Sequence, residues 1–135
     1  MAGSKRDIKI GDEIPSLIRR GNMGNPEEGW PEGSPHTDEF ARKAGFKASI
    51  VPGLCLMGNI TEMLVNFFGK EWYTKGKFDI KYISGGVLHG ELVTIRAIVR
   101  DKAPEDGSIR LGLEVWMEKE DGTKVAVGNA SCLVS

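Results

Sequence analysis

The stretch LCLMGNITEMLVNFFGK, residues 54–70, decides the fold. Leu54, Leu56, Met57, Ile60, Met63, Leu64, Phe67 and Phe68 cover most of a helical circumference, leaving Asn59, Glu62 and Asn66 as a polar stripe. Pro52-Gly53 precedes the helix and Gly69 stops it. A helix apolar nearly all round has to be enclosed by other structure, and the rest of the chain must supply the enclosure.

The C-terminal side supplies it, because there the hydrophobic period changes to two. Phe78, Ile80 and Tyr82 alternate with charged residues, as do Val93, Ile95, Ala97 and Val99. Ile109, Leu111, Leu113, Val115 and Met117 repeat the pattern, and Val125, Val127 and Asn129 continue it more weakly. Turn formers fall at 84–90, 103–107 and 120–122, the last carrying an Asp-Gly hairpin signal. No crossover helix separates these strands, so they pair antiparallel. About five or six strands and one buried helix make an α+β architecture, a strongly curved antiparallel sheet wrapped around the helix. Its unpaired edges predict association with a second copy, a homodimer or larger homo-oligomer.

On the N-terminal side, residues 7–10 and 14–19 read as short strands. The segment NMGNPEEGWPEGS, residues 22–34, is nearly all turn formers and reads as a loop of a length that often carries function. SPHTDEFARKAGF predicts a short helix from Pro35 to about Ala44, with Ser34 as N-cap and Gly45 closing it in the left-handed conformation. Asp38 and Glu39 suit the positive end of that helix, and Arg42 and Lys43 the negative end.

At 135 residues the chain is a single domain, 1–135, able to bury roughly 68–70% of its unfolded surface without staples. Hydrophobic residues at 40% and charged residues at 27% are globular values, which sets aside disorder and fibres. A net charge of −1 without long like-charged runs argues against nucleic acid and anionic membrane as partners. The longest apolar stretch, 50–68, is interrupted by Pro52, Gly53 and polar residues and cannot cross a bilayer. The start MAGSKRDIKIGD has no apolar signal region, so a cytoplasmic protein is expected. Cys55 and Cys132 make neither a disulfide framework nor a zinc set; both read as small buried hydrophobes, and no metal or cofactor is expected.

His36 lies in the first turn of the predicted helix beside an acidic loop. Imidazole changes charge near neutral pH, as a base acting on water requires, although a helix-terminal histidine bonded to backbone is the plainer reading. His89, in GGVLHGE, reads as a surface loop residue, and Asp38 as an acid serving the helix dipole. At the start of the long helix the N–H groups of Gly53, Leu54 and Cys55 face outward with the positive dipole end, unless Gly53 is there only for close packing. Leu54, Met57, Met63, Phe67 and Trp72 read equally as core or as the lining of an apolar pocket. Arg96, Arg100 and Lys102 form either a solvated strand face or a diphosphate contact, the former being commoner.

The stretch SPHTDEFARKAGFKASIVPG, followed by the buried helix, a strand, GGVLHGELV and two more strands, resembles the MaoC-like hot-dog dehydratases, relatives of the R-specific enoyl-CoA hydratases. The resemblance runs from Ser34 to the end of the chain. The family's His-x-Asp-x-x-Phe-Ala element stands here as His36, Asp38, Phe40 and Ala41, and its Val-His-Gly turn as Val51-Pro52-Gly53. It implies a hot-dog fold and reversible addition of water to an enoyl thioester of CoA or acyl carrier protein. His36 would hold and deprotonate the water, the Gly53 N–H would hold the thioester carbonyl oxygen, and Leu54, Met57 and Thr61 would contact the acyl group. Thr61 matches a hydroxyl-bearing position on the family's central helix, though a threonine bonded to its own helix backbone fits as well. The family's aspartate and asparagine, five and three residues before the histidine, correspond to Pro31 and Gly33. Glu32, one residue away, becomes the candidate acid, ahead of Glu27 and Glu28. Two other readings compete: an acyl-thioester-binding module without chemistry, and a hot-dog thioesterase, whose acid on the central helix would have to be Glu62.

Overall fold

The structure, a computed structural model, describes residues 5–21 and 36–135. The predicted loop, with Glu27, Glu28, Pro31, Glu32 and Gly33, and the helix start at Ser34 and Pro35 lie outside the described residues.

The described residues begin with a 3₁₀ turn, Lys5–Asp7, in place of a strand at 7–10, and Glu13 bridges to Ile98 before strand β1, Leu17–Arg20. Helix α1 is Asp38–Lys43, shorter than the sequence suggests. Its N-cap is Thr37, in extended conformation, whose hydroxyl accepts from the Phe40 N–H. Gly45 closes it as predicted, with φ 92: its N–H donates to the Arg42 carbonyl and the Phe46 N–H to that of Ala41, a Schellman pair.

Helix α2 spans Gly53–Phe68 and ends at Gly69, φ 70, whose N–H donates to the Val65 carbonyl at 2.7 Å. Helix α3, Glu71–Lys75, follows at once; five residues are too few for a readable period. Strands β2 (Lys77–Tyr82), β3 (Leu92–Glu105), β4 (Ser108–Lys119) and β5 (Lys124–Val134) complete one antiparallel sheet in the order β1-β3-β4-β5-β2. Strand β3 runs on to Glu105, so the turn expected at 103–107 is confined to its last two residues. The reversal is the two-residue loop Asp106-Gly107, both at positive φ (48 and 81), the backbone twist that suits a tight hairpin. Register shifts at Val99/Asp101 and at Met117/Glu118 mark bulges that bend the sheet.

The concave face of the sheet holds α2. Val93, Ile95, Ala97 and Val99 of β3 and Leu111, Leu113, Val115 and Met117 of β4 meet Leu56, Ile60, Met63, Leu64 and Phe68 of the helix in one core. Each such large side chain contributes about 1.5–3 kcal/mol on leaving water. Trp72 of α3 extends the core, stacked on Phe68 and edge-on to Phe78.

The enclosure is incomplete. Leu54 is 80% exposed, and Cys55, expected to be buried, is exposed too. Cys55 falls four residues before Asn59 on the stripe that continues through Glu62 and Asn66, so helical spacing carries that stripe to the first turn. Cys132 is buried in β5, and burial pushes its thiol pKa up. Among the described residues no helix is long and apolar enough to cross a membrane.

Candidate functional site

The start of α2 is held by a small backbone clamp. Val51 donates its N–H to the Val87 carbonyl at 2.8 Å, His89 donates its N–H to the Ser49 carbonyl at 2.7 Å, and Ile50 bridges to Leu88 between them. Ser84, Gly85 and Gly86, with φ 58, 75 and 79, reverse the chain so that Val87 enters the core. The turn expected at 84–90 is therefore half clamp, and His89 is half-buried within it rather than on the surface. Gly21 docks on the same clamp, donating to the Glu91 carbonyl and accepting from the Gly90 N–H. A Cβ there would lie 2.9 Å from Val87 Cγ1 and 3.0 Å from Val51 Cγ2, so the approach requires glycine.

His36 is tied to this clamp. Its Nδ1 lies 2.7 Å from the Ile50 carbonyl oxygen, and a carbonyl only accepts. Nδ1 therefore carries the proton, and in the neutral ring the basic lone pair belongs to Nε2. The contact that a backbone-bonded histidine would make is also the one that orients a base. It places His36 beside a residue three positions ahead of Gly53.

At the helix start itself, Pro52 provides no capping side chain. The Cys55 N–H, expected to face outward, turns back onto the Pro52 carbonyl at 3.0 Å. The amides of Gly53 and Leu54 have no acceptor among the described residues, so the positive helix end offers two donors rather than three. Leu54, Met57 and Thr61 follow at helical spacing on one face, Met57 and Thr61 half-buried. Met63 and Trp72 are buried in the core; Phe67 packs against the core from its edge. Glu32 lies outside the described residues, four positions before His36.

One neighbour was not legible in the sequence. The Tyr82 hydroxyl, at the end of β2, donates to the Gly53 carbonyl at 2.5 Å across 29 residues of chain. Burial pushes the Tyr82 phenol pKa up.

The remaining candidates are engaged elsewhere. Arg19 Nε and Nη2 reach the two oxygens of Glu62 at 3.0 and 2.6 Å, and the hydrogen bond with the guanidinium holds the Glu62 carboxyl below its usual range. Arg96 pairs with Glu13 and Glu118 and lies over Trp116, Arg100 pairs with Glu114, and Lys102 donates to the carbonyls of Arg6 and Ile8. That is a strand face braced within the chain. Among the described residues no cluster of three His, Cys, Asp or Glu side chains would hold a metal ion.

No protein-family model and no curated protein sequence matches the chain. Solved structures do. The MaoC-like dehydratase from Rhodospirillum rubrum superposes with a TM-score of 0.75 at 14% identity, covering 98% of this chain and 97% of that one. An R-hydratase from Pseudomonas aeruginosa gives 0.75 at 14% identity over 95% of this chain and 83% of its own. The (R)-hydratase from A. caviae involved in PHA biosynthesis gives 0.72 at 18% identity, over 96% and 98%. The fold is the hot-dog fold. In this hot-dog domain, Tyr82 at the end of β2 meets the start of the central helix at Gly53, and His36 is bonded to the clamp at Ile50, three residues ahead in sequence.

Proposed function

We propose that this hot-dog protein is a MaoC-like acyl-thioester hydratase or dehydratase, adding water reversibly to the double bond of an enoyl thioester of CoA or acyl carrier protein. The observation that carries the reading is the His36 Nδ1 contact with the carbonyl of Ile50, three residues ahead of the uncapped α2 in sequence, which makes Nε2 the basic nitrogen of the neutral ring. Hydratases and dehydratases among the structures of the same fold support it.

In the addition direction, His36 Nε2 takes a proton from water as the oxygen bonds to the β-carbon. The π electrons shift onto the thioester carbonyl oxygen, and the enolate is held by the Gly53 N–H with the Leu54 N–H beside it; such donors are worth about 2.7–4 kcal/mol in a transition state. The α-carbon then takes that proton from the His36 imidazolium, which returns the ring to its neutral form, and the 3-hydroxyacyl thioester leaves. Glu32 takes the role of orienting the water, since four residues of chain reach at most about 14 Å. Leu54, Met57 and Thr61 contact the acyl group.

The thioesterase reading needs a free acid on α2, and Glu62 is bound to Arg19. The test is hydration of a short enoyl-CoA. His36→Ala should abolish it with the fold intact, and Glu32→Gln should slow it at least about 10²-fold, the low end for a positioned acid–base group. A wild-type protein that binds the thioester without turnover, with binding indifferent to His36→Ala, would make it a binding module instead.

A further inference from the structure

Position 53 has no backbone reason to be glycine. Its φ lies outside the left-handed region, where an L side chain would be strained. What crowds a side chain there is Tyr82: a Cβ on Gly53 would lie 3.0 Å from Tyr82 Cε2, 3.3 Å from Cζ and 3.5 Å from the hydroxyl oxygen, so the ring would have to give way. The ring occupies the space a residue-53 side chain would fill, and the hydroxyl donates to the Gly53 carbonyl at 2.5 Å.

That carbonyl belongs to the same peptide group as the Leu54 N–H. A hydrogen bond accepted at the oxygen draws density from the nitrogen and makes the N–H a stronger donor. It also fixes the plane of the peptide at a helix start that has no side-chain cap, where first-turn amides otherwise depend on a capping oxygen for their orientation.

We propose that Tyr82 is a positioning residue for the site: through the Gly53 carbonyl it orients the first turn of α2 and strengthens the Leu54 N–H, one of the two amides that receive the substrate's carbonyl oxygen. The proposal rests on the hydratase reading for its substrate. Tyr82 acts through Gly53 and is held at the end of β2 by pairing with Ala126 of β5. Burial raises its pKa above the ordinary tyrosine range, so the hydroxyl remains a donor at neutral and mildly alkaline pH.

Tyr82→Phe removes the hydroxyl and keeps the ring, and two measurements read the result. In the free protein, the amide resonance of Leu54 should move and its hydrogen exchange should quicken while the rest of the spectrum is preserved; an unmoved Leu54 amide overturns the proposal. In enoyl-CoA hydration, kcat should fall about tenfold, less than the 10²–10³ lost when such a donor is removed outright, with KM within about twofold. Unchanged kcat, or a rise in KM alone, also overturns it. If the wild-type protein shows no turnover, the hydratase reading falls, and the Leu54 amide then decides the positioning claim alone: moved supports it, unmoved overturns it.

Discussion

Arg19 of β1 grips Glu62 of α2 through two parallel hydrogen bonds, Nε to Oε1 and Nη2 to Oε2, 43 residues apart in sequence. The pair docks an edge strand of four residues onto the polar stripe of the helix, where apolar packing is thinnest. Its geometry is the forked one that suits guanidinium and carboxylate.

Because the Arg19 hydrogen bond lowers the Glu62 pKa in the folded state, the pair stabilises the fold above the ordinary glutamate value of about 4.3. That contribution fades as pH falls through the lower folded value. Wild-type and Glu62→Gln proteins should therefore differ in thermal midpoint at pH 7, with wild type the more stable, and converge in acid. Thermal melts from pH 7 to pH 3 check it. A gap that stays constant over that range would show the pair contributes no pH-dependent stability.

The core separates two neighbouring helix positions. Leu64 is fully buried and Phe67 only partly, its ring edge-on to Phe68 at 4.9 Å. Leu64→Ala should cost about 2–5 kcal/mol, because the sheet leaves no room to collapse around the lost volume. Phe67→Ala should cost less, about 1–3 kcal/mol, and exposed Lys70→Ala within about 0.5 kcal/mol of nothing. Urea titrations rank the three, and equal losses would contradict the placement of α2.

What sequence could tell follows from the range of each interaction. The alternation at 93–99 and 111–117 and the stop at Gly69 are local signals, and the sheet and central helix have them where expected. Helix α1 starts later than the Ser34-Pro35 signal suggests, because the Thr37 hydroxyl, a few residues on, makes the capping bond to the Phe40 N–H. The turn expected at 103–107 is tighter than its residues suggest, because Ala103 and Pro104 resemble turn residues yet β3 accommodates them in its pairing with β4 and leaves only Asp106-Gly107 to reverse the chain. At the candidate site, Gly53 could be read as a helix start from Pro52-Gly53 alone. Its contact with Tyr82 could not, since nothing local connects residues 29 apart. Cys55 was misread because a cysteine among leucines and methionines looks buried, whereas its angular position puts it on the open face.

Association is the next expectation. Among the described residues, strand β2 pairs with β5 on one side and forms an edge of the sheet on the other, with Tyr82 at its end 40% exposed and Leu54 80% exposed on α2. An unpaired edge beside exposed apolar side chains is a surface that a second copy can cover, and a specific interface of this kind buries about 1,200–2,000 Å² in total. Sedimentation velocity at micromolar concentration should give a homodimer; a single folded monomeric species would refute it.

The two thiols give a last, independent reading of the helix start. Thiolate chemistry needs access, and Cys55 has it in the first turn of α2 while Cys132 is buried with its pKa raised by that burial. A thiol reagent at pH 8 should therefore modify one cysteine rapidly in the native protein and the second only on unfolding, and Cys55→Ser should remove the rapid phase. Cys55 follows Gly53 and Leu54 within one turn, so a ligand whose carbonyl oxygen sits on those amides must crowd it. A non-hydrolysable thioether analogue of an enoyl-CoA should then slow the rapid phase in proportion to its occupancy. A rapid phase that belongs to Cys132 would contradict the open face of α2. Saturating analogue with an unchanged Cys55 rate would place the acyl thioester away from Gly53.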